Sequence, residues 1–560
     1  MLPEQRTLRG KNLVWRREKL EADDPLAAWQ GLLAAMGMSE SDAYFTPRLS
    51  DLPDPFSMQD MDKAAARLAG AIMDGEPIHV FGDFDADGVN GTAILLEALR
   101  AAGAVVTFSI PHRAEDGHGI GVEPVREAAA GRGIRVGISV DTGTTCHAAC
   151  AEAIKLGMDL IVSDHHLPED SLPPAYALLN PARADCGFAE RKLCGTGVAF
   201  FLLMAVWKVL ADKGVRPDFD LRSLLDRVAV ATVADVMDLV GVNRVLVYHG
   251  LQRLNSAPSV GMAALMQVAR VRKAASAETI GFHLAPRINA AGRMQHGEAA
   301  MRMLSTQDAD EAGALAAELD AANKQRRAVE AEVFKQAELL LGGSDVLAVY
   351  HEDWHAGVVG LAAGRLARKH GRPAAVGFIT PDGSIRVSLR GMPGFHVGEL
   401  LNACSEYLDG FGGHAGAGGG GIREGAWADF VAAFGAAIEK QGEHAADHLA
   451  LPVDGVLGLG AMHAGLAERL ARFEPVGRGN PPCSWLVLDE HIAERRDMKG
   501  SVSRLKVSDG TRWLDCIIFG ANGFAAPLQP GCAVSLIGQL QLDDYRGNGA
   551  VQFVVEDALV

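Results

Sequence analysis

Residues 79–95, HVFGDFDADGVNGTAIL, place three carboxylates at alternate positions between a strand and a helix. Ile78, Val80 and Phe81 read as the apolar tail of the strand, and Ala93, Ile94, Leu95 and Leu96 as the helix. Between them stand Asp83, Asp85 and Asp87, followed by Gly88. The carboxyl end of a strand entering a helix is the crevice where open α/β sheets place their ligands. Three carboxylates this close repel one another, so without a cation some are forced to hold protons. A divalent metal is the simplest relief. A calcium loop also begins D-x-D-x-D-G, but it needs a bidentate Glu at its twelfth position. Counted from Asp83, that position is Ile94, so a catalytic metal site is the better reading.

The same texture continues downstream. VVTFSIP reads as a strand, EPVREAAAGRG as a helix, VGISVDTGTT as a strand, His147 to Leu156 as a helix closed by Gly157, and MDLIVSDHHLP as a strand. Strands alternating with helices of this length predict βαβ units and a mostly parallel sheet. Three of the strands end in acid or imidazole: Asp83/Asp85/Asp87, Asp141, and Asp164/His165/His166. In a parallel sheet all carboxyl ends lie on one edge, so these groups can converge. Asp235 and Asp238, after the apolar helical stretch Leu224 to Val233, are a fourth candidate group. A lone Asp would read as a cap or a solvated turn; the set together predicts a metal centre. Mostly oxygen donors with one imidazole suit Mn2+ or Mg2+ better than zinc.

At 560 residues the chain has room for three or four domains. Residues 1–50 read as an arm with a short helix near Pro25 to Met36, 51–245 as the catalytic unit, and 246–341 as a helical connector. In the connector, Ser305 to Leu341 is one long helix. Residues 342–451 form a second α/β unit. Its FGGHAGAGGGG suggests close backbone approach to an anionic ligand rather than a linker. From Pro452 to 560 the pattern is alternating β, with hairpin turns at Asp509-Gly510 and Gly547-Asn548-Gly549. About five short strands suit a small barrel of the OB type, which commonly holds single strands of nucleic acid. Trp485, Trp513, Phe519, Tyr545 and Phe553 are its candidate stacking residues, about half of them expected in its core.

A net charge of −17 argues mildly against a protein that coats nucleic acid, but it allows a local basic groove. The longest uncharged apolar run, Val198 to Trp207, is about half a membrane span, so no transmembrane helix is expected. The basic N-terminus has no apolar core of a secretory signal. Eight scattered cysteines fit a reducing cytoplasm, and Cys146 and Cys150 around His147 lack the second pair that a zinc site wants.

With Asp164-His165-His166, the DFDADG loop, Asp141 and Asp235, the chain resembles the DHH phosphoesterase superfamily. Its second unit resembles the DHHA1 domain that accompanies it. GFHLAPRINAAGRM, WHAGVVGLAAGRL, SLRGMPGFHV and FGGHAGAGG follow in the order shown by the single-strand-specific 5′-to-3′ exodeoxyribonucleases of that superfamily. One segment departs: Ser388-Leu389-Arg390-Gly391 stands where the family usually has S-G-R-S. The resemblance implies a parallel-sheet DHH domain joined by a long helix to a smaller α/β DHHA1 domain, with an OB-like β-barrel at the C-terminus.

It also implies that Asp83, Asp85, Asp141, His165 and Asp235 hold two Mn2+ or Mg2+ ions, with Asp141 as the bridge. His166 would contact phosphate or donate a proton, and Asp164 would orient the adjacent imidazole. Asp87 would do the same or cap the following helix. Arg287 and Asn289 would hold substrate near the metals, with a salt bridge between helices as the plain alternative for Arg287. His355, Ser388, Arg390 and His414 would grip phosphates further along. The implied partners are single-stranded DNA, a single-strand-binding protein and a helicase, in the cytoplasm and with no membrane. A DHH oligoribonuclease or phosphoanhydride hydrolase of short substrates is one rival, and a non-catalytic DNA-binding scaffold another. Since every ligand precedes residue 240, a chain ending near Leu451 is expected to fold and cut.

Overall fold

The computed structural model of the chain describes residues 6–111, 119–294, 297–442, 450–521, 524–543 and 545–560. The N-terminal arm carries β1 (Asn12–Trp15), β2 (Glu21–Ala22) and α1 (Pro25–Ala35), the last capped by Asp24. The catalytic unit follows as α2 (Met61–Asp74), β3 (Ile78–Phe81), α3 (Ala86–Ala101), β4 (Val106–Ser109), α4 (Val122–Arg126), β5 (Val136–Val140), α5 (His147–Lys155), β6 (Asp159–Ser163) and β7 (Ala177–Leu179). The five strands pair in the order β4-β3-β5-β6-β7, all parallel. β3 and β5 are buried along their whole length, as the apolar runs require of central strands covered on both faces.

Helices α6 (Gly195–Asp212), α7 (Leu225–Ala234), α8 (Gly241–Ser256), α9 (Val260–Val268), the single turn α10 (Ala277–Thr279), α11 (Ala285–Met294), α12 (Glu298–Ser305) and α13 (Ala309–Leu341) complete this part. By length and mean hydropathy α6 could span a membrane, which the shorter run Val198 to Trp207 did not suggest. Here it is the core helix, with 67% of that stretch buried. One continuous hydrophobic core runs from Met58 to Leu319. The helices expected as a connector therefore share the core of the first unit as far as Leu319. Beyond it, α13 carries Val333 and Ala337 into the second unit's core, so one helix is built into both.

The second unit contains β8 (Leu347–His351), α14 (Ala356–His370), β9 (Ala374–Ile379), β10 (Ile385–Arg390), α15 (Val397–Ala403), β11 (Leu408–Gly413), β12 (Ala417–Ile422) and α16 (Trp427–Gly442). Its sheet has the order β11-β12-β10-β9-β8, with only β8 and β9 parallel. FGGHAGAGGGG is the β11–β12 hairpin. The glycines are needed inside the sheet itself: a Cβ on Gly419 would lie 2.7 Å from the Val387 carbonyl oxygen, and one on Gly413 2.7 Å from that of Ala417. Close approach of neighbouring strands accounts for their density, and no anionic ligand is needed to explain it.

The last part holds β13 (Ala450–Val453), β14 (Gly455–Leu457), α17 (Ala464–Ala471) and the barrel strands β15 (Trp485–Met498), β16 (Val502–Ser508), β17 (Trp513–Phe519), β18 (Ala533–Leu542) and β19 (Val551–Leu559). They pair as β16-β17-β19-β18-β15, and β15 returns to β16 to close the barrel. The N-terminal arm belongs to this domain: β1 runs parallel to β13 and β2 parallel to β14. Trp29, Leu32, Leu33 and Phe45 are buried with Trp485 and Phe553 in one core, and Arg16 meets buried Asp454 at 2.7 Å. A chain ending near Leu451 would strip the cover from those side chains of the arm, while the core from Met58 to Leu319 contains no residue of the barrel.

Candidate metal centre

The sheet brings the acidic strand ends together. Asp83 lies just beyond β3, Asp141 directly after β5, Asp164 directly after β6, and Asp235 closes α7. Donor atoms cluster within 4.8 Å of one another in three overlapping sets: Asp83, Asp85 and Asp141; Asp141, Asp164, His165 and His166; Asp87, His165 and Asp235. Asp141 is common to two sets and His165 to two. His165 Nε2 lies 3.0 Å from Asp141 Oδ1, 3.6 Å from Asp235 Oδ2 and 3.8 Å from Asp87 Oδ2. Asp141 Oδ1 and Asp235 Oδ2 are buried with no hydrogen-bond partner among the described residues. Leaving a buried anionic oxygen unpaired is costly. A cation between them removes that cost, so the donor set fits a metal.

Close packing shapes the floor of the site. A Cβ on Gly88 would stand 2.6 Å from the Asp83 backbone nitrogen, and one on Gly195 2.6 Å from Asp141 Cβ. Asp141 itself has φ +62°, a left-handed conformation that Asp tolerates better than most residues.

The electrostatics follow from burial. Burial first, then Asp85, pushes the Asp83 carboxyl up to about 7. Burial, then Asp87 and Asp85, pushes Asp235 up to about 8, and burial with the same neighbours drives Asp141 well above the carboxylate range. These are carboxylates that hold protons until a cation replaces them. Burial lowers His165, keeping its ring neutral and able to act as a ligand. Asp164 behaves oppositely. Burial works against its charge, but His166 Nδ1 at 2.8 Å and the backbone N–H groups of His165 (2.7 Å) and Thr144 (2.9 Å) outweigh it and hold the carboxyl below its usual range. In return the hydrogen bond to Asp164 raises His166 to about 9 in the metal-free site.

Two aspartates have capping roles that differ from the expectation. Asp85 caps the helix that follows, its Oδ1 accepting from Asp87 N (2.9 Å) and Gly88 N (3.1 Å). Asp87 caps a distant helix: its carboxylate accepts from Gly195 N (2.6 Å) and Thr196 N (2.8 Å) at the start of α6. Gly195, Thr196 and Thr144 were missed in the sequence. The only available signal was Gly195-Thr196-Gly197 opening an apolar helix.

Around the centre, Asn289 Oδ1 accepts from Ala86 N at 2.7 Å and so pins the aspartate loop. Arg287 is tied to Asp320 of α13 at 2.9 Å, the salt bridge between helices that was its plain alternative. A Cβ on Gly292 would meet the Phe84 carbonyl oxygen at 2.6 Å, and one on Gly357 the Arg293 carbonyl oxygen at 2.3 Å, so α11 abuts both the aspartate loop and the start of α14. His355 is exposed at that start, capping α14 through Gly357 N (3.0 Å). Arg390 lies against α14 at Gly360, where a Cβ would meet its Nη2 at 2.9 Å. Ser388 shares β10 with Arg390, whose partner on β12 is Ala417; Ala417 also accepts from His414 N at 2.8 Å. The structure thus gathers His355, Arg390 and the exposed His414 at one end of the second unit. On the barrel, Trp485 and Phe553 are core residues, whereas Trp513 (59%), Phe519 (56%) and Tyr545 (87%) are exposed.

Known proteins share this arrangement. The DHH family N-terminal domain matches residues 77–232, the DHHA1 domain 343–440 and the RecJ OB domain 453–557. The single-stranded-DNA-specific exonucleases RecJ of Salmonella typhimurium and Escherichia coli are each 34% identical, over 89% of this chain and 90% of theirs. The crystal structure of RecJ in complex with Mn2+ from Thermus thermophilus superposes with a TM-score of 0.77 at 29% identity, covering 98% of this chain and 80% of that one. Its Mg2+ complex gives 0.74 at 27% identity, covering 98% and 78%.

Proposed function

The chain belongs to the RecJ family of single-stranded-DNA-specific exonucleases, and from that premise we propose how its own residues divide the work. It is a hydrolase of single-stranded DNA that works with Mn2+ or Mg2+. The observation that carries the assignment of residues is the pair of buried oxygens on Asp141 and Asp235, without a hydrogen-bond partner among the described residues and both facing His165. Asp83, Asp85, Asp141, His165 and Asp235 would hold two ions, with Asp141 shared because it joins two donor sets. When bound, such ions supply an activated water and clamp the attacking and leaving oxygens.

The remaining residues orient groups and move protons. Asp164 holds His166 through a 2.8 Å hydrogen bond that favours its protonated form, so His166 would contact the phosphate or donate a proton to the departing oxygen. Asp87 fixes the start of α6 under Asp141, and Asn289 fixes the aspartate loop. His355, Ser388, Arg390 and His414 form the phosphate-gripping wall of the second unit. Arg287 acts through its ion pair, holding α11 against α13. Trp513, Phe519 and Tyr545 stack on bases, with Lys506 5.2 Å over Trp513 and Arg504 5.9 Å over Tyr545 to meet the backbone.

The strand enters 5′ end first and leaves as 5′-mononucleotides. A rival that cuts short oligoribonucleotides or phosphoanhydrides has no use for the barrel, and a scaffold without chemistry has no use for a complete ligand set. Eight free thiols support a cytoplasmic location. A helicase and a single-strand-binding protein are the partners this substrate calls for. The test is product length and polarity on a long single strand labelled at either end, with Mn2+ or Mg2+. Mononucleotides released first from the 5′ label are expected; oligonucleotide products or loss of the 3′ label first would overturn the assignment.

A further inference from the structure

Asp235 sits on a turn that the catalytic unit does not hold alone. The next residue, Val236, has φ +55°, a left-handed conformation that β-branched residues resist. Such a backbone persists only where its surroundings impose it. Some of the restraint is local: Val236 N and Met237 N each donate at 3.1 Å, to Val233 O and Thr232 O, and Asn243 Nδ2 donates to Asp238 O at 3.1 Å. Lys192 Nζ of the catalytic unit also meets Asp238 Oδ2 at 3.0 Å. Further restraint comes from the barrel domain. Leu239 N donates to Arg478 O at 2.7 Å, Arg478 Nε meets Asp238 Oδ1 at 3.0 Å, and Arg478 Nη1 donates to Val236 O at 3.4 Å.

The two segments are in close contact. A Cβ on Gly479 would lie 2.9 Å from Asp238 Cβ, and one on Gly477 2.8 Å from Leu239 Cδ1. The loop that presents Arg478 is itself fixed. Buried Arg244 donates to the carbonyls of Phe473 (2.9 Å), Glu474 (2.9 Å) and Pro475 (3.3 Å), and Asn480 Nδ2 donates to those of Phe473 (3.0 Å) and Pro475 (2.8 Å). A planar guanidinium is suited to bridge a carboxylate and a carbonyl at once; an ammonium offers only a point charge.

We propose that Arg478 is a positioning residue of the metal centre: by gripping Val236 and Asp238 it holds Asp235 in place, so the barrel domain completes the catalytic site. The proposal rests on the reading of Asp235 as a metal ligand. Its test is Mn2+ binding to the full-length protein without DNA, followed by the electron paramagnetic resonance signal of free Mn2+, for the wild type, Arg478→Ala, Arg478→Lys and Asp235→Ala. Asp235→Ala should lose one of the two ions. Arg478→Ala should weaken one of the two by about 10–100-fold, the range for groups that orient a ligand. Arg478→Lys should fall between, and kcat should drop in Arg478→Ala while KM for a long strand stays unchanged. If Arg478→Ala does not fold, Asp238→Asn removes the charge that Arg478 shares with Lys192 and is expected to weaken the same ion, whereas Lys192→Ala, which leaves Arg478 paired with Asp238, is expected to bind both ions as the wild type does. Wild-type Mn2+ affinity in Arg478→Ala, or in Asp238→Asn where it stands in, beside a loss in Asp235→Ala, would overturn the proposal. Both ions retained by Asp235→Ala would instead overturn the ligand reading, and the proposal with it.

Discussion

His165 Nε2 stands 3.0 Å from Asp141 Oδ1, and that oxygen makes no hydrogen bond among the described residues. The two residues follow neighbouring parallel strands, so the sheet itself delivers an imidazole and a carboxylate to one point. An imidazole kept neutral by burial beside a carboxyl kept protonated by burial is a poor ion pair and a ready ligand pair.

Asp141→Ala removes the residue common to two donor sets. Turnover should fall on the order of a thousandfold or more, corresponding to several kcal/mol of transition-state stabilisation. Single-strand affinity should hardly change, because the proposed phosphate grip lies in the second unit. Turnover and binding measured on the same preparation check this, and a variant with a tenth of wild-type turnover would exclude a bridging role.

Asp87→Ala leaves the buried N–H groups of Gly195 and Thr196 unpaired. Each unpaired donor costs about 1–3 kcal/mol, so thermal unfolding should shift down by several degrees. Gly195→Ala drives a Cβ into Asp141 and should lower Mn2+ affinity and turnover at least tenfold. Unaltered Mn2+ titration of Gly195→Ala would show that this contact does not shape the site.

Arg390→Ala should flatten the dependence of log affinity on log salt by about 0.7, one phosphate contact on a single strand. Arg287→Ala, whose guanidinium is engaged by Asp320, should leave that slope unchanged and lower stability instead. Binding isotherms at several salt concentrations separate the two. Equal slopes for Arg390→Ala and the wild type would remove Arg390 from the groove.

Trp513→Ala or Tyr545→Ala should each weaken binding of a forty-nucleotide strand by about 1–3 kcal/mol and leave a six-nucleotide strand cut as before. Trp485→Ala, in the core, should destabilise the barrel by about 3–5 kcal/mol. Rates against substrate concentration for both lengths check the division of labour. Equal losses on the two lengths would mean that the exposed rings support the fold and do not capture DNA.

Glu490 gives the barrel a pH dependence. It is buried with Oε2 unpartnered among the described residues, and burial, then Asp509, Asp489 and Asp23, push its pKa up to about 7. Between about 4.5, the unfolded value, and about 7, the folded chain binds the extra proton, so stability falls as pH rises through that window. Glu490→Gln should raise the melting temperature at pH 8 by a few degrees and leave it nearly unchanged at pH 4.5. A pH-independent effect of the substitution would refute this account.

The parallel sheet and its acidic edge were legible in the sequence because both are local patterns with a topological consequence. Apolar strands that end in Asp83, Asp141 and Asp164 must present those residues on one edge once the connections are helical. The closed barrel was legible for a similar reason: short alternating strands and Asp509-Gly510 and Gly547-Asn548-Gly549 turns leave few ways to pair. What tertiary structure alone decided are partnerships between groups far apart in the chain. Which helix an aspartate caps depends on which N–H groups lie above it, so Asp85 took the adjacent helix and Asp87 took α6. The arm joined the barrel through parallel pairing of β1 with β13, which has no turn between its strands to announce it. Trp485 faces the barrel interior and Trp513 the solvent because register sets the face, and a register shift in β15 between Val487 and Glu490 breaks simple alternation there. Arg478 reached the Asp235 turn only because two domains, each with its own local logic, packed against each other at that point.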